Sequence, residues 1–360
     1  MSPPRAGHIL VMLVLGTAVI LGFSAACALA ASSPPSPSAG EEFTYAPIKN
    51  GRYLPFVTAP KTAQIVEVGV YPLDIYDIDF QSNTCYISAY VWLTWKGGTD
   101  PASAIEFTNA VEEWGTMATP IYDSPKELPD GSSYQVIRVN GRFYQPYDLR
   151  RFPLDEQRIA MYLEDSERSY QEVVLVADRE NSGIDASMVI PGWNIQHFTS
   201  QTQIHDYTTT MGDTSDTSAS LYSSLVYRIT LAHNTNYFVW KLLFPLVIVL
   251  LTNWLALLLR PNWIDLRTAM PATALLTTVF LQESYSSSLP DVSYLVLMDK
   301  IYVVAYVMII TTLAMIIWSN HKLRNSPYAE VVERVRRADV AAAGVQFAAF
   351  WTILVLLVYA

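Results

Sequence analysis

The last third of the chain contains four apolar runs, each long enough to cross a lipid bilayer, at about 238–259, 266–288, 295–318 and 340–359. A spanning helix needs about 20 predominantly apolar residues. Because no water reaches the hydrocarbon core, backbone polar groups there must pair internally, and an α-helix achieves this within one segment. We therefore expect a transmembrane domain of four helices over 237–360.

The second of these runs carries a polar stripe. Steps of three and four residues bring six side chains to one helix face: Ala269, Thr273, Leu276, Phe280, Glu283 and Ser287. A carboxylate inside a membrane is costly unless it faces a bundle interior or a water-filled cavity. A ring of identical helices would enclose such a cavity, so the stripe indicates a pore lining. Leu276 and Phe280 alone would fit helix packing better.

An acidic residue, Asp265, lies just before the second run. It would stand at the cytoplasmic mouth of a pore, where a ring of carboxylates attracts cations. It would also suit a helix N-terminus, because an aspartate accepts hydrogen bonds from free N–H groups and offsets the helix dipole. The two roles are compatible. Arg267, two residues further on, opposes the first role if it points the same way.

The chain begins with features of a secretory signal peptide, which we place at 1–31. Arg5 provides a positive end, an apolar core follows, and Ala28-Leu29-Ala30 offers small residues for cleavage. A retained membrane helix is the alternative. Residues 32–60 include a Ser/Pro-rich stretch and are expected to form a leader or linker.

The chain contains two cysteines, Cys27 and Cys85. Removal of the signal peptide would leave Cys85 alone, so no intrachain disulfide is expected in the exported part. Cys85 is then interpreted as a small buried residue of a strand. Lipidation of Cys27 is an alternative interpretation of the N-terminus.

Residues 61–236 show the pattern of short β-strands. Runs rich in Val, Ile, Thr, Tyr and Trp recur, and the clearest is Thr84–Trp95. Asp130-Gly131 and Asn140-Gly141 indicate hairpin turns. Many short strands separated by turn signals predict an all-β, immunoglobulin-like sandwich rather than a parallel α/β fold.

The membrane topology follows from the flanks of the apolar runs. A signal peptide would export the sandwich, and four passes would then leave 319–339 in the cytoplasm. That segment carries five lysines and arginines, as the positive-inside rule requires. The two arguments agree on a multi-pass protein with its N-terminal domain extracellular or periplasmic.

Several short motifs resemble those of the pentameric ligand-gated ion channels, the Cys-loop receptor superfamily. Leu149-Arg150-Arg151-Phe152-Pro153-Leu154-Asp155 resembles the signature loop, Trp92-Leu93-Thr94-Trp95 the second strand, and Leu289-Pro290 the loop after the pore helix. Pro245 matches a proline in the first membrane helix. The cysteines that bracket the signature loop in animal receptors are absent, and Tyr144 and Ala160 lie nearby instead. This absence resembles the bacterial branch.

The resemblance implies a fold and a function. The fold would be a homopentamer, each copy with four identical neighbours in the ring, around a central pore. The function would be a ligand-gated, cation-selective channel of the bacterial inner membrane, with monovalent cations as the conducted ions. A small amine, protons or both are the stimuli that the resemblance allows.

The resemblance also implies a ligand site between neighbouring sandwiches, formed by aromatic and acidic residues: Tyr90, Asp123, Glu164, Tyr207 and Tyr222. Tyrosine faces and carboxylates suit an ammonium group through cation–π attraction and ion pairing. Any one of the 22 tyrosines could instead pack within a strand.

Coupling of ligand binding to the pore is implied at the base of the sandwich, by Asp79, Phe80, Arg150, Phe152, Pro153, Asp155 and Pro290. The family usually pairs the signature-loop aspartate with an arginine just before the first membrane helix. Here His233 occupies that place, so Arg150 is an alternative partner of Asp155. Pro271 is a second departure, because proline is comfortable only in the first turn of a helix. Either the pore helix starts later or it kinks.

Other functional classes have no support in the sequence. It contains no Gly-rich phosphate loop, no Cys/His pattern with metal-ligand spacing and no nucleophile elbow. An enzyme, a cofactor and a metal site are therefore not expected. The net charge of −10 argues against nucleic acid as a partner. The main alternative is a membrane-anchored sandwich that binds a solute or partner without conducting, and Glu283 argues against it.

Overall fold

A computed structural model describes residues 52–56, 58–111, 115–209, 221–325 and 328–359. The signal peptide expected at 1–31 and the first part of the expected leader lie outside these residues. The chain divides into two compact units. The sandwich unit comprises the described residues up to Tyr147 together with Glu156–Ala232, and the helical unit comprises Asp148–Asp155 and the residues from His233 onwards.

The sandwich unit contains eleven strands among the residues described. They are β1 (Arg52–Pro55), β2 (Gln64–Asp79), β3 (Thr84–Trp95), β4 (Ile105–Phe107), β5 (Met117–Pro120), β6 (Lys126–Glu127), β7 (Ser133–Tyr144), β8 (Glu156–Asp165), β9 (Val173–Ala177), β10 (Trp193–Asp206) and β11 (Leu221–His233). One sheet has the order β1-β10-β11-β8-β4, and the other has the order β5-β7-β3-β2-β9 with β6 beside β7. We call them sheet 1 and sheet 2.

The core of the sandwich lies between the two sheets and follows the alternation of the strands. Val91 and Leu93 contribute from sheet 2, and Met161 and Leu163 contribute from sheet 1, all of them buried. Successive side chains of a strand point to opposite faces. The residues that alternate with this core therefore lie on the two outward faces of the sandwich.

Two turn signals had different outcomes. Asp130-Gly131 forms a turn, with Gly131 at φ +75° and its N–H donating to Leu128 O over 2.9 Å. The hairpin expected at Asn140-Gly141 is wrong, because both residues lie inside β7. A Cβ on Gly141 would stand 2.5 Å from Thr116 Oγ1, so this glycine permits a close approach rather than a turn.

The folded sandwich begins before residue 61. β1 lies within the range assigned to the leader and pairs with β10, with Tyr53 opposite His205. The Tyr53 ring stacks on the His205 ring with centroids 4.3 Å apart. This contact links β1 to His205 on β10.

The helical unit contains four helices long and apolar enough to cross a membrane. They are α1 (Tyr237–Leu258), which opens with the π-helical segment Tyr237–Leu243, α2 (Ile264–Ser286), α3 (Leu297–Asn325) and α4 (Ala329–Tyr359). α2 packs against α1 and α3, and α4 packs against the same two helices. The chain is thus a β-sandwich followed in sequence by a four-helix bundle of a multi-pass membrane protein.

Two features of the helices differ from expectation. The pore helix does not start after Pro271, since α2 begins at Ile264 and includes this proline on its buried face. Proline lacks an N–H, so Pro271 cannot donate the usual helical hydrogen bond to Arg267 O, four residues earlier. The segment 319–339, expected as a short cytoplasmic connection, is helical at both ends because α3 reaches Asn325 and α4 starts at Ala329.

Candidate functional site

The α2 side chains expected to line a pore lie on the face that the rest of the bundle leaves uncovered. All seven are exposed in the single chain: Asp265, Ala269, Thr273, Leu276, Phe280, Glu283 and Ser287, the last just beyond the helix end. Leu276 is 58 % and Phe280 65 % exposed. The opposite face packs into the bundle through Arg267, Pro271, Ala274, Thr278 and Tyr285. A carboxylate and bulky apolar groups therefore share an uncovered face of a membrane-length helix.

The direction of Arg267, which the sequence leaves open, is away from that face. Its side chain is 1 % exposed, whereas Asp265 is exposed. Arg267 Nη2 donates to Asp339 Oδ2 over 2.7 Å, and Arg267 Nε donates to Ala256 O over 3.0 Å. The arginine charge is thus paired inside the bundle and does not stand beside Asp265.

An aromatic and acidic cluster surrounds Glu164 on the outward face of sheet 1. Glu164 Oε1 contacts His205 Nδ1 at 2.8 Å, and Glu164 Oε2 accepts a hydrogen bond from the Tyr207 hydroxyl at 2.8 Å. We call this set the Glu164 cluster; its members are Tyr53, Tyr162, Glu164, His205, Tyr207 and Tyr222. Burial, reinforced by the Glu164 carboxylate, raises the pKa of Tyr207 above its ordinary value. The phenol therefore stays protonated and donates.

Ring stacking orders the cluster. The His205 imidazole lies between two phenol rings, with centroids 4.3 Å from Tyr53 and 4.0 Å from Tyr207. Tyr222 meets Tyr207 edge-on at 5.5 Å. Between Tyr207 and Tyr222, residues 210–220 lie outside the described part of the chain. The cluster presents aromatic faces around a buried carboxylate, which suits a cation.

A second candidate surface is an open cavity of about 780 Å³ on the outward face of sheet 2. Its lining includes Tyr71, Tyr90, Trp92, Tyr122, Tyr134 and Asp178. The Trp92 indole covers the register partner of its strand, Gly69, where a Cβ would come within 2.0 Å of Trp92 Cε2. A glycine at that position is what lets the indole lie across β2.

The charge of this cavity comes from Asp178, which is buried. Trp92 Nε1 donates to Asp178 Oδ2 over 3.0 Å, and Asn181 Nδ2 donates to both carboxylate oxygens. Burial alone would raise the pKa of Asp178, but these hydrogen bonds hold it below the ordinary value. Asp178 is therefore an anion at neutral pH.

Two tyrosine rings of this face each contact a cationic side chain of the same chain. Lys126 Nζ lies 3.6 Å from the Tyr122 ring centroid, and the Arg138 guanidinium carbon lies 4.8 Å from that of Tyr90. Arg138 also donates to Ser88 Oγ over 2.9 Å. A ligand cation at Tyr90 would approach a ring that is partly engaged by Arg138.

The five residues expected to bind ligand do not meet within one chain. Glu164, Tyr207 and Tyr222 come together on the outward face of sheet 1. Tyr90 lies on the outward face of sheet 2, since its strand neighbour Val91 is in the core. Asp123 is exposed between β5 and β6, which both pair with β7 of sheet 2. The segment that carries Asp123 therefore belongs to sheet 2, as Tyr90 does, and the expected ligand site between neighbouring sandwiches stays a prediction.

Sequence reasoning missed four residues of the surface around Glu164. Tyr53 fell in the expected leader, and Tyr162 and His205 were not among the residues expected to bind ligand. Glu106 lies directly opposite Glu164 in the β4–β8 register, which puts a second carboxylate at the cluster. Strand register, which a single sequence does not reveal, is the signal that would have found Glu106.

The signature loop, Asp148–Asp155, belongs to the helical unit. Leu149 N–H donates to the Tyr294 hydroxyl over 3.2 Å, and the Arg150 guanidinium lies 5.5 Å from the Tyr294 ring centroid. Arg151 Nη2 donates to Val358 O over 3.1 Å. The loop thus contacts both the segment between α2 and α3 and the end of α4.

Asp155 pairs with His233. Asp155 Oδ1 lies 2.7 Å from His233 Nδ1, and the side chains are 3 % and 11 % exposed. The Phe152 ring meets the His233 ring edge-on at 5.6 Å; Pro153 follows by a cis peptide bond. Arg150, the alternative partner, instead stands 3.8 Å from Asp148. His233, and not Arg150, is therefore the partner of Asp155 in this structure, and the coupling role of the pair stays a prediction.

Asp79 and Phe80 make their contacts within the sandwich unit. Asp79 accepts hydrogen bonds from Gln81 N–H over 2.9 Å and from Ser82 Oγ over 2.7 Å. The Phe80 ring packs edge-on against Tyr147 at 5.1 Å. Pro290 is partly buried in the helical unit. The expected coupling role of these three residues stays a prediction.

Comparison with known proteins finds relatives among ion channels and receptor subunits. No protein-family model matches it. A proton-gated ion channel from Gloeobacter violaceus is 24 % identical over 210 residues, which cover 53 % of this chain and 55 % of that protein. The human gamma-aminobutyric acid receptor subunit rho-3 is 24 % identical over 172 residues, covering 48 % of this chain and 35 % of the subunit.

A gamma-aminobutyric acid receptor subunit beta from Caenorhabditis elegans is 25 % identical over 191 residues, covering 51 % of this chain and 32 % of the subunit. The chain thus spans about half the length of the Gloeobacter relative and about a third of the receptor subunits. These relatives are ligand-gated ion channels rather than enzymes.

Proposed function

On its similarity to these channels and receptor subunits, we propose that this chain belongs to the pentameric ligand-gated ion channel superfamily and that five copies form a cation-selective channel lined by α2. The ligand site lies between neighbouring sandwiches and takes a small cationic amine. The observation that carries this proposal is the uncovered face of α2, where Glu283 and the bulky Leu276 and Phe280 are exposed in the single chain.

The pore argument rests on what can cover that face. Lipid suits Leu276 and Phe280 but not the Glu283 carboxylate, which needs water or a partner. Among the described residues, no contact of Glu283 with a neighbouring helix is present to satisfy it. A ring of copies supplies an aqueous axis, in which Leu276 and Phe280 form hydrophobic constrictions that gate by dewetting.

Selectivity for cations follows from the charges on the same face. Asp265 at one end and Glu283 near the other are exposed, and rings of carboxylates favour cations. Arg267 does not offset Asp265 there, because its guanidinium is bound to Asp339. Sodium and potassium are the conducted ions on this proposal.

The ligand site follows from the two outward faces of the sandwich. The Glu164 cluster lies on sheet 1, and the cavity that Tyr90 helps to line lies on sheet 2. The two surfaces of one chain therefore cannot contact the same ligand. In a ring, the first face of one copy meets the second face of the next. Both faces offer aromatic rings and a buried carboxylate, Glu164 or Asp178, which select a cation.

The compartment also forms part of the proposal. The signal peptide at 1–31 directs the sandwich across the inner membrane of a bacterium. The domains are those expected from the sequence, 61–236 and 237–360, with β1 added to the first. Protons are the competing stimulus, and the Gloeobacter relative is named for that stimulus.

Planar-bilayer recording tests the channel. The purified full chain is reconstituted, and current is measured while small amines and pH are varied under a sodium chloride gradient. We expect stimulus-dependent current that reverses near the sodium potential. Silence of folded protein across all conditions would favour the alternative, a membrane-anchored sandwich that binds without conducting.

A matched pair of variants tests the pore face. Glu283→Gln removes the carboxylate from the uncovered face and should reduce single-channel sodium current, because fewer cations enter the outer pore. Glu330→Gln makes the same change at the exposed start of α4 and should leave the current unaltered. Equal currents in both variants would exclude Glu283 from the pore.

A further inference from the structure

A buried charged cluster joins all four helices near the start of α2. Arg267 on α2 donates to Asp339 on α4 over 2.7 Å and to Ala256 O on α1 over 3.0 Å. Ser319 Oγ on α3 donates to the other Asp339 oxygen over 2.7 Å. Arg267 and Asp339 are each 1 % exposed, so the cluster excludes water.

Stability alone does not explain this pair. Removing two charges from water is expensive, and a buried ion pair replaced by apolar groups of similar volume is often neutral or stabilising. The pair therefore suggests a role that apolar groups would not perform. That role follows from the position that the Arg267 side chain would take without Asp339.

Arg267 lies in the first turn of α2, two residues after the exposed Asp265. An arginine without its counter-charge is strongly disfavoured in a dry bundle, and its long side chain moves its charged end to nearby water. The nearest water is at the mouth where α2 begins. A released Arg267 would then oppose Asp265 in every copy.

We propose that Asp339 is a positioning residue for ion selectivity, which it controls by holding Arg267 inside the bundle. The proposal rests on the cation channel argued above. Asp339 lies on α4, which packs against α1 and α3, and it reaches the pore helix through the Arg267 side chain. A helix that does not line the pore thereby sets the charge at its inner mouth.

The test is the sodium-to-chloride permeability ratio, from reversal potentials of the full chain in planar bilayers. Asp339→Asn should lower the ratio at least about threefold, because a change of roughly one kT in mouth potential alters local ion concentration by that factor. The double variant Arg267→Gln with Asp339→Asn removes both charges and should restore the original ratio. Glu330→Gln, elsewhere on α4, should leave the ratio unchanged.

Assembly is a separate risk, since Asp339→Asn leaves a buried guanidinium unpaired. Co-expression with the unmodified subunit at a minority dose gives mixed channels in which the ratio should still fall. An unchanged ratio in sodium-selective mixed or pure channels overturns the role of Asp339 alone. A loss of selectivity that the double variant does not restore overturns it too. Chloride selectivity of the unmodified channel overturns both this role and the proposed selectivity.

Discussion

Glu164 is expected to act on a ligand without being exposed to it. Its two oxygens are occupied by His205 and Tyr207, each at 2.8 Å, and its side chain is 3 % exposed. An incoming ammonium group would therefore meet aromatic rings first. The carboxylate behind them supplies a negative potential that water screens little, because the group is buried.

Glu164→Gln keeps the volume and removes the charge. We expect the half-maximal concentration of a cationic agonist to rise by about 5- to 30-fold. That factor corresponds to about 1–2 kcal/mol, the Coulomb energy of unit charges about 10 Å apart at an effective dielectric of ~20. The measurement is a current dose-response curve. Glu167→Gln, the same change at an exposed position three residues on, is the control. Matching curves for both variants would remove Glu164 from the site.

Residue types were easier to anticipate than residue neighbours. Glu164, Tyr207 and Tyr222 come together within one chain, because β8, β11 and the end of β10 lie side by side in sheet 1. Their binding of a ligand stays a prediction. Asp123 does not join them, and Glu106 takes a place that nothing in the sequence singled out. A one-residue shift in strand register moves every side chain to the other face, so such neighbours depend on pairings that one sequence does not fix.

At the scale of elements, the signature loop and the end of β11 meet through the Asp155–His233 pair. His233 N–H also donates to Asp155 O over 3.2 Å. Because β11 leads into α1, this contact joins the signature loop to the start of the first membrane helix. The junction therefore depends on a side chain that carries a full charge only when protonated.

A double-mutant cycle measures this junction. Asp155→Asn, His233→Gln and the double variant should show a coupling energy above about 1 kcal/mol in thermal unfolding and in the agonist midpoint, since both side chains are nearly buried. Asp148→Asn with Arg150→Gln is the control, because that pair is 63 % and 72 % exposed. It should couple by less than about 0.5 kcal/mol. Equal coupling in the two cycles would contradict the assignment.

The uncovered face of α2 gives a second prediction at this scale. Leu276→Ser and Phe280→Ser should shift activation toward weaker stimuli, since a polar constriction hydrates more easily. Leu275→Ser makes the same change at a neighbouring, partly buried position. It should reduce assembled yield without shifting activation. Unchanged activation in the first two variants would mean that these side chains serve packing.

Elements with a strong periodic pattern were predicted well. Thr84–Trp95 forms β3 with the bounds expected, because most of its residues are β-branched or aromatic. The hairpin turn predicted at Asn140-Gly141 is wrong, because an Asn-Gly pair also fits inside a strand when another segment approaches the glycine closely. Thr116, which makes that approach, is 25 residues from Gly141 in sequence, and no local sequence pattern predicts the contact.

At the scale of the whole molecule, the assembly is the main prediction. A mass measurement in detergent should give five subunits, because the α2 face and the two sandwich faces all need neighbouring copies. Glu330→Gln should leave the mass unchanged. A stable monomer or dimer would contradict the ring and, with it, the proposed pore and ligand site.

The class of architecture could be anticipated from the sequence, since four membrane-length runs and a strand-rich half leave few alternatives. The pairing of Arg267 with Asp339 could not be anticipated from the sequence. The two residues are 72 positions apart, and each taken alone fits an exposed helix end equally well.

The opposite placement of Glu164 and Tyr90 has a genetic consequence. A subunit with Glu164→Gln keeps an intact sheet 2 face, and a subunit with Tyr90→Ala keeps an intact sheet 1 face. Each alone would build a ring of five damaged junctions, yet their co-expression creates junctions where two sound faces meet. In a ring of five, at most two junctions can join a sound sheet 1 face to a sound sheet 2 face, so complementation would be partial and would depend on the ratio of the two subunits. The strength of the rescued response would then report how many occupied junctions channel opening requires.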